Sequence, residues 1–170
     1  MAINNEQITD NNLKSITASL IYDRTQADAD YALSLEQNSI YTNEDLKGAY
    51  NCSDRNRVGG AINYLTDNMK LLGFRVKDNW VETDIAKTTD NANSLACLNR
   101  LRQLLSYGSY GITAALPADL DSLTYQKAND IERVLCEVGG AFLWISDAAM
   151  YAGDGYVSDF DAFNQQVFDM

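Results

Sequence analysis

Residues 123–151, LTYQKANDIERVLCEVGGAFLWISDAAMY, constrain the fold of this chain more than any other stretch. Ala128, Ile131, Leu135, Val138, Phe142, Ile145 and Ala149 recur at alternating steps of three and four. That spacing gathers them on one face of a helix roughly 25 residues long. Lys127, Asp130, Glu132, Arg133 and Glu137 fall on other faces. A helix with such a stripe needs other segments packed along it, because its own backbone bonds do not hold it in water.

Two further segments have a matching period. Val58, Ile62, Leu65, Met69 and Leu72 predict a helix over about 54–72, with Ser53 as N-cap, Gly73 as left-handed C-cap and Phe74 folding back over its end. Leu95, Leu98, Leu101 or Arg102, and Leu105 predict another over about 90–106, capped by Thr89 or Asp90. A shorter helix near 26–37 is marked by Thr25 as N-cap, with Asp28 in the acidic position of a capping box. Ala29 and Leu33, with Tyr31 and Leu35, supply its apolar side.

The expected fold class is therefore all-α: a small helical bundle of three long helices and one or two short ones. An extended piece is allowed near 74–82, though a loop that tucks Trp80 onto the bundle fits the pattern better. Residues 1–22 read as an N-terminal arm, within which 13–22 is ambiguous between a strand and a helical turn. Residues 23–150 form the bundle domain, and 151–170 a C-terminal tail that docks on it or binds a partner. Gly59-Gly60 and Gly139-Gly140 each mark either a close helix crossing or a break.

Composition enters where function is concerned. With 24 acidic against 13 basic residues, the net charge is −11, and there is no histidine. Such a field repels phosphate backbones and anionic lipid surfaces, so nucleic acid is not an expected partner. Membrane insertion is not expected because no apolar run reaches the roughly 18 residues needed to span a bilayer. The missing imidazole removes the commonest general base and metal ligand at neutral pH. Cys52, Cys97 and Cys136 form no CxxC pair and read as buried free thiols.

Carboxylates two apart, such as Asp28 with Asp30 or Asp130 with Glu132, do not face each other on a helix. No catalytic residue, cofactor or metal ligand is assigned, and the chain reads as non-enzymatic. Tyrosine buries its ring while keeping its hydroxyl wet, which suits interfaces. Tyr107, Tyr110, Tyr151 and Tyr156, with Phe160, Phe163 and Phe168 of the tail, are the candidate interface residues.

Several segments taken together resemble a helical module of tail-associated proteins from bacteriophages and prophages of Gram-positive gut bacteria. They are DRTQADADYAL (23–33), LKGAYNCSDRNRVGGAINYL (46–65), WVETDI (80–85), LTYQKANDIERVL (123–135) and YAGDGY (151–156). Departures from that pattern are Cys52, where alanine is usual, and Gly59-Gly60, where bulkier residues are usual. The resemblance implies a non-enzymatic tail or baseplate component, made in the bacterial cytoplasm and assembled into a particle. Its partners would be other tail or baseplate proteins or further copies of itself.

A glycan or host-surface adhesion module using exposed Trp or Tyr beside Asp and Asn is the alternative, and a carboxylate-dependent hydrolase a lower one. Within the resembling segments, Arg24, Asp54, Asn56, Arg57, Asn129 and Glu132 are polar residues placed on or beside helices. Asp54 and Arg57 are spaced to pair, Arg24 to meet an acid, and Asn56 to bond a neighbouring backbone. The six are the candidate interhelical locks.

Overall fold

A computed structural model describes residues 10–38, 46–106, 115–121 and 123–152. The described residues form five helices and no strand: α1 (Asp10–Ser19), α2 (Gln26–Gln37), α3 (Cys52–Asn68), α4 (Thr88–Ser106) and α5 (Tyr125–Ala152). α5 is the axis. It packs on α1, α3 and α4, while α3 also packs on α4 and α1. The all-α bundle expected from the sequence is the fold.

The apolar stripes meet as their periods require. Ile131, Leu135, Val138 and Phe142 of α5 share one core with Val58, Ile62 and Leu65 of α3 and Leu98, Leu101 and Leu105 of α4, and Ala128 of the same stripe is buried too. Thr124 caps α5, its hydroxyl accepting the Lys127 amide at 3.3 Å. Asn51, rather than Ser53, caps α3. Its side chain accepts the Ser53 and Asp54 amides, and the Asp54 carboxylate in turn accepts the Asn51 amide. α2 has the expected box between Thr25 and Asp28.

The arm is where the sequence reading differs most. Residues 10–19 are helical, and Leu13 is fully buried with Leu20 in the same core that α5 organises. Leu13, Ile16 and Leu20 already have the three-four step. Thr17 masks it, because its polar hydroxyl is satisfied internally by donating to the Leu13 carbonyl at 2.9 Å. Its methyl points at α5, where a Cβ on Gly139 would lie 2.5 Å from it. The second glycine pair thus marks a close crossing, of α1 over α5, and α5 runs through it unbroken.

α3 ends earlier than its stripe. Lys70, at φ 57°, takes the left-handed position, and Leu71 donates to the Thr66 carbonyl at 2.8 Å while Lys70 donates to Asp67 at 3.2 Å. This is a Schellman closure with a lysine where glycine is usual. Leu71 turns inward, and Leu72, expected in the core, is 90% exposed. Gly73 is left-handed too, at φ 84°, but in the following turn. Replacing Lys70 with glycine is expected to stabilise the protein by about 0.5–1 kcal/mol, read as a higher urea midpoint at unchanged slope.

α2 stands apart. None of its residues is buried. Tyr31 and Leu33, expected on its apolar side, are 58% and 51% exposed. The Thr25 hydroxyl and amide, donating to Asp28, hold that carboxyl below its usual range. A depressed carboxyl stabilises the fold above its ordinary pKa and ceases to do so as pH falls through the lowered value. Fraying of α2 before the bundle melts is therefore the expected first event on acidification, seen as a partial loss of far-ultraviolet helical signal that Asp28→Asn reproduces at neutral pH.

Candidate functional site: a buried charge cluster and three asparagine clips

Arg24 leaves the α1–α2 connection and enters the bundle, where it is buried. Its Nη2 lies 2.8 Å from Asp54 Oδ1 of α3 and 2.7 Å from Glu132 Oε1 of α5. Arg57, one turn after Asp54, pairs with that same Asp54 oxygen and reaches Glu132 Oε1 at 3.0 Å and Oε2 at 3.1 Å. Glu132 is 0% exposed, and its Oε2 also accepts the Ile21 amide at 2.6 Å. The remaining Arg24 donors go to the carbonyls of Lys47, at 3.0 Å, and Ile21.

Two positive and two negative groups thus neutralise one another at the meeting point of α3, α5 and the α1–α2 connection. The cost of burying each charge is offset by bonds on nearly every polar atom. Burial alone would lower the Arg57 pKa, but its bonds to Glu132 and Asp54 and their charges outweigh that and raise it. Half-buried Tyr50, beside the cluster, has its phenol pushed up by desolvation and then by the Glu132 charge.

Asparagines extend the same logic to irregular backbone. An asparagine amide carries one donor group and one acceptor, so it can pair with both polar groups of a single residue as a strand neighbour would. Asn129 does this with Arg24, accepting its amide at 3.0 Å and donating to its carbonyl at 2.8 Å. Asn56 does it with Trp80, at 2.5 and 2.9 Å, and Asn63 with Val76, at 2.8 and 2.9 Å. Asn63 also donates to Asp78 at 2.8 Å.

Asn56 and Asn63 are two helical turns apart on α3, and Gly59 lies between them. The segment 76–80 runs over that glycine so closely that a Cβ there would sit 2.7 Å from the Lys77 carbonyl oxygen. Helix α3 passes straight through the glycine pair, so the first pair also marks a close approach. Around Gly60, by contrast, a Cβ would meet nothing within 4 Å. Gly59→Ala is expected to cost about 1–2 kcal/mol by displacing this backbone, whereas Gly60→Ala is expected to add about 0.5–1 kcal/mol of helix propensity. Parallel thermal melts of the two variants check the opposite signs.

All six candidate lock residues take part in these contacts: Arg24, Asp54, Arg57 and Glu132 in the cluster, Asn129 on its border, and Asn56 in the clip. Asn63 belongs with them although it is not among the sequence candidates, and Gly59, which the sequence marks as a close approach or a break, is the close approach. The signal was present in the step from Asn56 to Gly59 to Asn63, one face of one helix. Of the candidate interface residues, Tyr107, Tyr110, Tyr156, Phe160, Phe163 and Phe168 lie outside the described residues. Tyr151 falls in the last turn of α5.

The facing acids that a carboxylate hydrolase would use are represented by Asp54 and Glu132, but two guanidinium groups bridge them. Trp80, one candidate sugar platform, is buried, its indole donating to the Lys77 carbonyl at 2.9 Å and its ring covered by Arg55 and Lys77. Trp144 is 62% exposed. Cys97 is buried, as expected for a free thiol, while Cys52 and Cys136 are half-buried. Among the described residues no His, Cys, Asp and Glu group is arranged to hold a metal, and no helix is long and apolar enough to cross a membrane. Comparison with known proteins finds no matching family model, curated protein or solved structure.

Proposed function

We infer that this chain is a structural or interaction module, a stiff helical block that presents surfaces to other chains, of the kind assembled into phage or prophage tails and baseplates. The observation that carries the reading is α2. A 12-residue helix is marginal alone in water, and this one has no buried residue while Tyr31 and Leu33 face outward. A helix held at its start and displaying an aromatic and a leucine suits a contact with another molecule.

The residues behind the phage-tail resemblance support the same reading in a second way. Arg24 comes from the first resembling segment, Asp54, Asn56 and Arg57 from the second, and Asn129 and Glu132 from the fourth. They are the residues that interlock, so the pattern describes a way of fastening helices together rather than a reaction. The partners on this reading are further copies of the chain or other tail components. In addition to α2, residues 107–111 and the tail from Tyr151 are candidate contacts on the sequence alone.

Absolute mass in solution across a concentration range tests it, on the full chain, on Tyr31→Ser/Leu33→Ser, and on a chain ending at Tyr151. A fixed oligomer that dissociates when α2 or the tail is altered is the expected result. A monomer at every concentration would rule out self-association. A pull-down with the remaining proteins of the same particle would then decide the reading, and no capture there would overturn it.

A further inference from the structure

Three arginines lie close to the start of α3, and two of them are spent on carboxylates. Arg55 is not. Among the described residues the one hydrogen bond of its guanidinium is a long one, 3.3 Å from Nη1 to the neutral Asn91 Oδ1. Its guanidinium is held between two rings, with Cζ 5.1 Å from the Trp80 centroid and 5.7 Å from that of Tyr50. Trp80 is itself fixed by the Asn56 clip, and the Asn91 amide is tied to the Leu120 carbonyl and Asp121. The arginine is therefore oriented by groups that are themselves anchored.

It lines a recess of about 30 Å³, with Lys77, Trp80 and Asn91 on the walls and Leu98, Leu120 and Ile131 among the apolar lining. That volume holds about two water-sized centres. It is far below the several hundred Å³ of a typical small-molecule pocket, and it matches the two oxygens of one carboxylate. A guanidinium carries five N–H donors in a planar fork that fits a carboxylate, and stacking on rings leaves the fork edge available. The other cation of the recess, Lys77, is already paired with Asp84 at 2.7 Å. One uncommitted positive charge on a chain of net charge −11 suits a monoanion better than a phosphate dianion.

We propose that the Arg55 recess is a receptor for a single carboxylate, an Asp or Glu side chain of a partner polypeptide that inserts between Tyr50 and Trp80. The recess has room for the end group and not for a larger molecule around it, so the rest of the ligand stays outside, as a partner's backbone would. Arg55 donates the charge-assisted hydrogen bonds, and the rings exclude water from them. This inference stands on the recess alone and does not depend on which assembly the chain joins.

The test uses the full chain carrying Trp144→Phe, so that Trp80 is the sole indole, and follows its fluorescence at constant ionic strength. The probes are acetate, a Gly-Gly-Glu-Gly-Gly peptide blocked at both ends, its glutamine counterpart, and inorganic phosphate. Acetate and the glutamate peptide are expected to give saturable changes that the glutamine peptide and chloride do not. Arg55→Gln should weaken both by about ten-fold or more, with a melting temperature near that of the parent.

Should Arg55→Gln fail to fold, Arg55→Lys keeps the charge, loses the fork and is expected to weaken binding as well. An unchanged response in a folded Arg55 variant, no saturable change with any carboxylate, or an equal response to phosphate would each overturn the proposal. Binding of acetate without binding of the glutamate peptide would overturn the partner side chain as the source and leave a small free carboxylate in its place.

Discussion

Replacing Glu132 with alanine is expected to destabilise the protein by about 3–5 kcal/mol, most of its folding free energy at the lower end of the usual range. The magnitude follows from what the carboxylate holds. Glu132 has no exposed surface and accepts bonds from Arg24, from Arg57 twice, and from the Ile21 amide. Its removal leaves two guanidinium groups sharing Asp54 alone, and an amide of the α1–α2 connection without its acceptor. The penalty comes chiefly from those stranded donors. Glu132→Gln is a milder probe, since it keeps the shape and one acceptor while losing the charge. Urea unfolding of the three proteins, read by circular dichroism, gives the order wild type, then glutamine, then alanine.

A second large effect is expected one residue earlier. Ile131 is nearly without exposed surface, on the stripe of α5 that faces the core. Ile131→Asp would bring a charged carboxylate onto the apolar core face of α5 and open a gap where the isoleucine packs, and a chain of ordinary stability should not remain folded. Loss of cooperative melting at 25 °C is the expected observation. Adjacent positions on one helix thus have opposite rules: position 132 requires a carboxylate, and position 131 cannot accept one. A melting temperature unchanged by Ile131→Asp would mean that the core face of α5 is misassigned.

The parts of this fold that sequence reading recovered are those in which one residue type has one physical use. The stripes of α3, α4 and α5 are built from leucine, isoleucine and valine at helical spacing, and burial is their main way to gain free energy. The Thr25–Asp28 box is equally direct, because its geometry is local. α1 was obscured because Ile16, Thr17 and Ile21 also suit strands, and its place is fixed by contacts with α3 and α5, including the one at Gly139, more than a hundred residues away. Leu72 was misplaced because a lysine, rather than Gly73, takes the left-handed position that ends α3. The conformational signal of Gly73 was correct, but it belonged to the next turn.

The candidate site divides in the same way. Asp54 with Arg57 is a local pair, visible as a three-residue step on one helix. That Arg24 would meet both acids, and that Asn129 would pair with the Arg24 backbone, depends on three segments converging, which no spacing in one segment encodes. The recess around Arg55 went unnoticed for a related reason. Its arginine looks like any surface charge until Tyr50 and Trp80 are seen on either side of it.

The most direct test of the account is a double-mutant cycle between Arg57 and Glu132, using Arg57→Met, Glu132→Leu and the pair together, with unfolding free energies from urea titration. If the buried charges act as one unit, each single variant strands its partner and the double variant recovers part of the loss. The predicted coupling is about 1–3 kcal/mol. Single effects that add within about 0.5 kcal/mol would contradict the account, because Arg57 and Glu132 would then be independent residues that happen to lie close, and the cluster would not be what fastens α3 to α5.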